Sequence, residues 1–105
     1  MRPLLHPGPE AIDLHAVLNA LADPARLALF RRLAAERTTP RNCTQCAPPV
    51  MPKSSLSRHM RILREAGLVH SERRGKEVVN RARLDEVDAR FPGLLSAILA
   101  ASARD

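Results

Sequence analysis

The sequence predicts a mainly α-helical domain carrying one small β-hairpin (an α+β chain), on three observations. Apolar residues recur at spacings of three and four in several separate stretches. Between residues 68 and 82 that period is lost, and short β-prone runs flank a glycine. The prolines fall between the periodic stretches or at their starts, where they do not break a helix. At 105 residues the chain has room for one core.

Residues 1–9 hold three prolines and one glycine and read as a flexible N-terminal arm, leaving 10–105 as the domain. "PEAIDLHAVLNALA" follows, a helix with Ile12, Leu14, Val17, Leu18 and Leu21 at helical spacings. Asp23-Pro24 restarts a helix, with Asp23 as N-cap and Pro24 in its first turn. "PARLALFRRLAAER" then places Leu27, Phe30 and Leu33 on one stripe and Arg26, Arg31 and Arg32 elsewhere. Pro40, Pro48, Pro49 and Pro52 make 38–52 irregular, with room for one short helical turn over 41–47. "KSSLSRHMRILREAG" is a basic helix that starts near Lys53 or Ser54 and stops at Gly67. Its Leu56, His59, Met60 and Leu63 share one face, with Ser55, Arg58, Arg61 and Ile62 off it. Strands over 68–73 and 76–82 form the hairpin, with Gly75 in the turn and Arg73, Arg74 and Lys76 at the tip. A short helix over 84–90 and a second one starting at Pro92 close the chain, the latter striped by Leu94, Leu95, Ile98 and Leu99.

Lys and Arg number 17 against 11 Asp and Glu, a formal charge of +6, which points to an anionic partner and to nucleic acid first. Phe30 and Phe91 are the only aromatics, too few for stacking on single-stranded bases, so the expected partner is double-stranded DNA. The chain lacks an apolar run of membrane-spanning length and has too short an apolar stretch near its start for a signal peptide. A cytoplasmic protein is expected, in which thiols stay reduced unless they bind metal or sense oxidation. An enzyme is not expected. The sequence shows no Gly-rich phosphate loop, no Ser/His/Asp arrangement in context, and no strand ahead of its CxxC pair.

Helix, helix, short helix, basic helix, basic hairpin and terminal helices make a winged helix-turn-helix, whose recognition helix enters the major groove while the hairpin covers adjacent backbone. Ser54, Ser55 and Ser57 are short hydroxyls that allow close approach, and Arg58 and Arg61 reach guanine edges or phosphates. Lys53 adds charge at the helix start, and Arg73, Arg74 and Lys76 suit a minor groove or a flanking phosphate. A module that binds DNA without sequence preference, or binds protein, is the alternative. Of the histidines, His59 reads as a packed core group, His15 as solvated, and His70 as a phosphate contact at the start of the wing.

At "LADPARLALFRRL" (21–33), "SSLSRHMRILREAGLV" (54–69) and the Gly-turn wing with its terminal helix, the chain resembles the ArsR/SmtB family of bacterial transcriptional repressors. The resemblance implies a homodimer, built from the first and last helices, that sits on a palindromic operator and is released by an effector, often a metal ion or metalloid. The dimer surface it implies is Leu14, Val17, Leu18, Leu21, Leu94, Leu95, Ile98 and Leu99. Metal-sensing relatives carry thiolates just before the recognition helix, where Cys43 and Cys46 stand. A thiol pair three residues apart suits a thiophilic ion if the segment is helical, closes a disulfide on oxidation, or packs as two inert small residues. Gln45 and Pro48-Pro49 depart from the family's short helix. The family's second kind of site, on the terminal helix, uses histidine, which is missing beside Asp85, Glu86 and Asp88.

Overall fold

The computed structural model describes residues 5–35, 41–42 and 51–104. A 3-10 turn, Pro9–Ala11, leads into α1 (Leu14–Ala22) and α2 (Pro24–Ala35). Strand β1 (Arg41–Asn42), helix α3 (Lys53–Glu65), strands β2 (Val69–Arg74) and β3 (Glu77–Ala82), and helices α4 (Leu84–Arg90) and α5 (Leu94–Ser102) follow. The expected hairpin and basic helix are therefore present, the strands shifted by one residue.

The helix expected from Pro9 is divided. Ile12 and Asp13 are extended, and the Asp13 carboxylate accepts from the Ala16 N–H at 3.0 Å, so the helix begins after the cap rather than before it. The next junction is as read from the sequence: Asp23 Oδ2 accepts from the Arg26 N–H at 3.0 Å and Pro24 opens α2. That backbone hydrogen bond is the main reason the Asp23 carboxyl lies below its ordinary range. Arg26 is not a displayed arginine. It folds back to donate to Ala20 O at 2.8 Å and Asn19 O at 3.4 Å, carbonyls that the end of α1 leaves without helical partners. Within α2, Leu29 joins Phe30 and Leu33 in the core while Leu27 is only half-buried, a wider stripe than the sequence suggested.

The helical turn expected over 41–47 meets a different structure at its start. Arg41 and Asn42 pair antiparallel with Asn80 and Val79, which gives a three-stranded sheet in the order β1–β3–β2. The open edge of β3 outcompetes a local turn for these backbone groups. A strand thus does precede the cysteines, though it is only two residues long. Cys43 and Cys46 lie outside the described residues.

Helix α3 buries Leu56, Met60 and Leu63 on one face. Ile62 also packs on the core, since the core wraps more than one stripe of the helix. Across the hairpin Ser71 pairs with Asn80, and the buried Ser71 hydroxyl donates to Asn80 Oδ1 at 2.6 Å. The two-residue turn places Gly75 at φ +62°. The last helix begins at Leu94, not at Pro92, because Gly93 takes φ +80°, which no helix interior accepts. Gly93 also donates its N–H to Asp88 Oδ1 at 3.1 Å.

One core runs through Ile12, Val17, Phe30, Met60, Leu63, Leu68, Val69 and Val87, joining every layer. Of the expected arm, His6, Pro7 and Gly8 are half-buried, while Leu5 is 68% exposed. Arg83, only 5% exposed, donates to Pro7 O at 2.9 Å and holds Glu86 through two bonds of 3.1 and 2.7 Å. The Arg83 hydrogen bond keeps the Glu86 carboxyl below its ordinary range. Arg90 Nε donates to Ile12 O at 2.9 Å. Among the described residues no helix is long and apolar enough to cross a membrane.

Replacing Arg26 with alanine removes the donors to the end of α1 and is expected to cost about 1–2 kcal/mol in urea unfolding. Arg31→Ala, an exposed neighbour on the same helix, should stay within about 0.5 kcal/mol.

Candidate nucleic-acid interface

Helix propensity and amphipathicity place the basic residues of α3 opposite its buried leucines. Lys53, Ser54, Ser57, Arg58 and Arg61 are exposed and Ser55 is half-buried. Ser54, Ser57, Arg58, Arg61 and Arg64 line one shallow cleft along that face. Arg64 was not singled out from the sequence, although its position three residues after Arg61 was the available signal. The helix therefore carries hydroxyls near its N-terminal turn and guanidinium groups along the rest. Hydroxyls donate to phosphate, and guanidinium groups read guanine edges in pairs of bonds.

The wing tip supplies the second basic element. Arg73, Arg74 and Lys76 are exposed. Arg74 meets Glu72 at 3.5 Å, and with both side chains more than half exposed this pair holds the tip only loosely.

The geometry between the two elements is set where α3 stops. The Gly67 N–H donates to Arg64 O at 3.1 Å and the Leu68 N–H to Leu63 O at 3.0 Å, a Schellman cap. Gly67 sits at φ +87° and a Cβ there would lie 2.7 Å from Ile12 Cγ1. Leu63 and Leu68 are both fully buried across this turn.

The histidines differ from their expected places. His70 does not project from the wing. It is half-buried and stacked on His6, with ring centroids 4.5 Å apart. Burial first, then the Arg81 and Arg83 charges, holds the His70 imidazole below its ordinary range. His59 is half-buried rather than a hydrogen-bonded core group, and its Nδ1 has no hydrogen-bond partner among the described residues. His15 is exposed.

Residues expected at a dimer surface divide into two sets. Val17, Leu21 and Leu95 are at most 6% exposed and fill the protomer's own core, since α1 and α5 must each bury one stripe there. Leu14 and Leu18 are 38% and 44% exposed, and the half-buried Leu94, Ile98 and Leu99 pack against the margin of the core. Among the described residues no group of three or more His, Cys, Asp or Glu side chains could hold a metal ion.

Residues 21–72 match a family model described as a helix-turn-helix domain. Solved structures of similar fold include an ArsR-like transcriptional regulator from Rhodococcus sp. RHA1, 24% identical over 84% of this chain and 87% of that chain, with a TM-score of 0.60. An ArsR family transcriptional regulator is 25% identical over 87% and 92%, with a TM-score of 0.64. The transcriptional repressor BigR from Xylella fastidiosa is 22% identical over 74% and 85%, with a TM-score of 0.57. Among curated proteins none matches significantly.

Gly67→Ala should destabilise the fold by about 2–4 kcal/mol, combining left-handed backbone strain with displacement of Ile12. Urea unfolding checks this. A loss below about 0.5 kcal/mol would show that the turn relaxes freely.

Proposed function

Since the chain is a winged helix-turn-helix protein of the ArsR/SmtB type, we propose that it regulates transcription as a homodimer that binds a palindromic duplex operator and represses the genes beside it. The carrying observation is the exposed face of α3, where Ser54, Ser57, Arg58 and Arg61 converge opposite a buried leucine face. Such a helix fits the major groove, with Arg58 and Arg61 reading bases or phosphates and the serines and Lys53 fixing register. Arg73, Arg74 and Lys76 follow the flanking backbone. A +6 chain gains affinity from counterion release, so binding weakens steeply with salt.

Leu14 and Leu18 on α1 with Leu94, Ile98 and Leu99 on α5 supply the subunit contact. A two-fold dimer places its recognition helices about 34 Å apart, one turn of DNA, which matches a palindrome. Release by an effector is part of the proposal, and Cys43 and Cys46 are its candidate point of action: the pair binds a thiophilic metal or metalloid ion, closes a disulfide on oxidation, or packs as two inert residues while the effector binds elsewhere. Similarity to ArsR-type regulators supports the DNA-binding part of this reading.

Duplexes selected from a random pool, followed by anisotropy on the winning sequence and a scrambled one, test the function. Arg58→Ala should lose about 1–3 kcal/mol on the selected duplex and little on the scrambled one. If the wild type binds both equally, the protein is a non-specific DNA-coating module instead. Leu18→Glu places a charge on the proposed subunit contact and should yield monomers by sedimentation. A stable dimer from that variant would move the interface elsewhere.

A further inference from the structure

The N-terminal segment meets the hairpin at residues that the DNA-facing surface does not use. Strand β2 lies at the outer edge of the sheet, where backbone groups are left to water or to another segment. At Ser71 the N–H donates to Nε2 of His6 at 2.9 Å. An imidazole nitrogen accepts a hydrogen bond only when it carries no proton, so the docked His6 is neutral with its proton on Nδ1. Its ring lies on His70, planes 20° apart. The charged groups acting on His70 are Glu72 on its own strand, Arg81 on β3 with Arg83 at its end, and Glu86 on α4. The adjoining Pro7 is held through its carbonyl by Arg83 at 2.9 Å, a bond that does not depend on histidine protonation.

We propose that His6 is a proton-operated latch: neutral, it seats the N-terminal segment on the outer edge of β2, and protonated, it lets that edge go. Protonation removes the lone pair that Ser71 uses. It also adds a positive charge in a corner that already holds Arg81 and Arg83. Glu72 and Glu86 offset part of that charge, but neither restores the bond to Ser71.

The direction with pH follows. Docking needs the neutral form, so it is favoured at higher pH and weakens on acidification as the ring takes up a proton. The stacked His70 acts in the same direction. Its folded value is depressed, so its contribution is present above its unfolded value and declines as the pH drops toward the lower folded one.

The test uses the full chain without DNA, so its outcome is separate from that of the DNA-binding reading. Amide hydrogen exchange at Ser71, followed by NMR and expressed as protection factors, compares about pH 7.5 with about pH 5. In the wild type protection should fall by about tenfold or more on acidification. His6→Gln keeps an acceptor oxygen that does not titrate, so its protection should fall clearly less than the wild type's over the same range, with only His70 left to titrate there. His6→Ala should leave Ser71 poorly protected at both pH values. Unchanged wild-type protection, an equal fall in His6→Gln, or full protection in His6→Ala would each overturn the latch.

Discussion

The left-handed turn at Gly67 is the constraint on which the rest depends. It ends α3 with two hydrogen bonds to the helix's own carbonyls and sends the chain directly into β2. Both flanking leucines are buried in one core. The basic helix and the basic hairpin are thus joined by three residues whose backbone and side chains are all committed. A hinge at this place would let the two charged elements reach DNA independently. The cap makes them one surface, so a duplex must satisfy both at once. The same glycine leaves space for Ile12 and Pro7, which brings the start of the chain against that joint.

The supports around the joint are polar, and Arg83 at their centre is buried. Arg83 ties the end of the hairpin to Pro7 and to Glu86 on α4, and Arg90 ties α4 to Ile12. An arginine so enclosed is stable only because its donors are filled, and removing one partner would strand the others. Arg26 does the same for the α1–α2 corner. In a domain with two aromatic residues and a modest core, these brackets fix the angles that packing alone would leave loose.

Much of this was legible in the sequence, and the rest was not for identifiable reasons. Leu56, Met60 and Leu63, the Asp23 cap and the Gly75 turn are local signals whose partners lie within a few residues. Gly67 is legible as a helix stop, and the place of the basic helix before a basic hairpin marks it as the recognition helix. The contacts of His6, Arg83 and Arg90 span 65, 76 and 78 residues, and no periodicity encodes them. His70 reads as an exposed wing residue until the arm is known to cover it. The pairing of Arg41 and Asn42 with β3 is likewise long-range and takes up the first two residues of the expected helical turn. Val17, Leu21 and Leu95 were assigned to a dimer surface because a stripe alone does not say which core it faces.

The most direct test of the account is an NMR titration of the labelled protein with a duplex selected from a random pool. The amides of Ser54, Ser57, Arg58 and Arg61 and those of Arg73, Arg74 and Lys76 should shift together at the same DNA ratio, because one rigid surface carries both sets. Shifts confined to one set, or centred away from α3 and the hairpin tip, would contradict it.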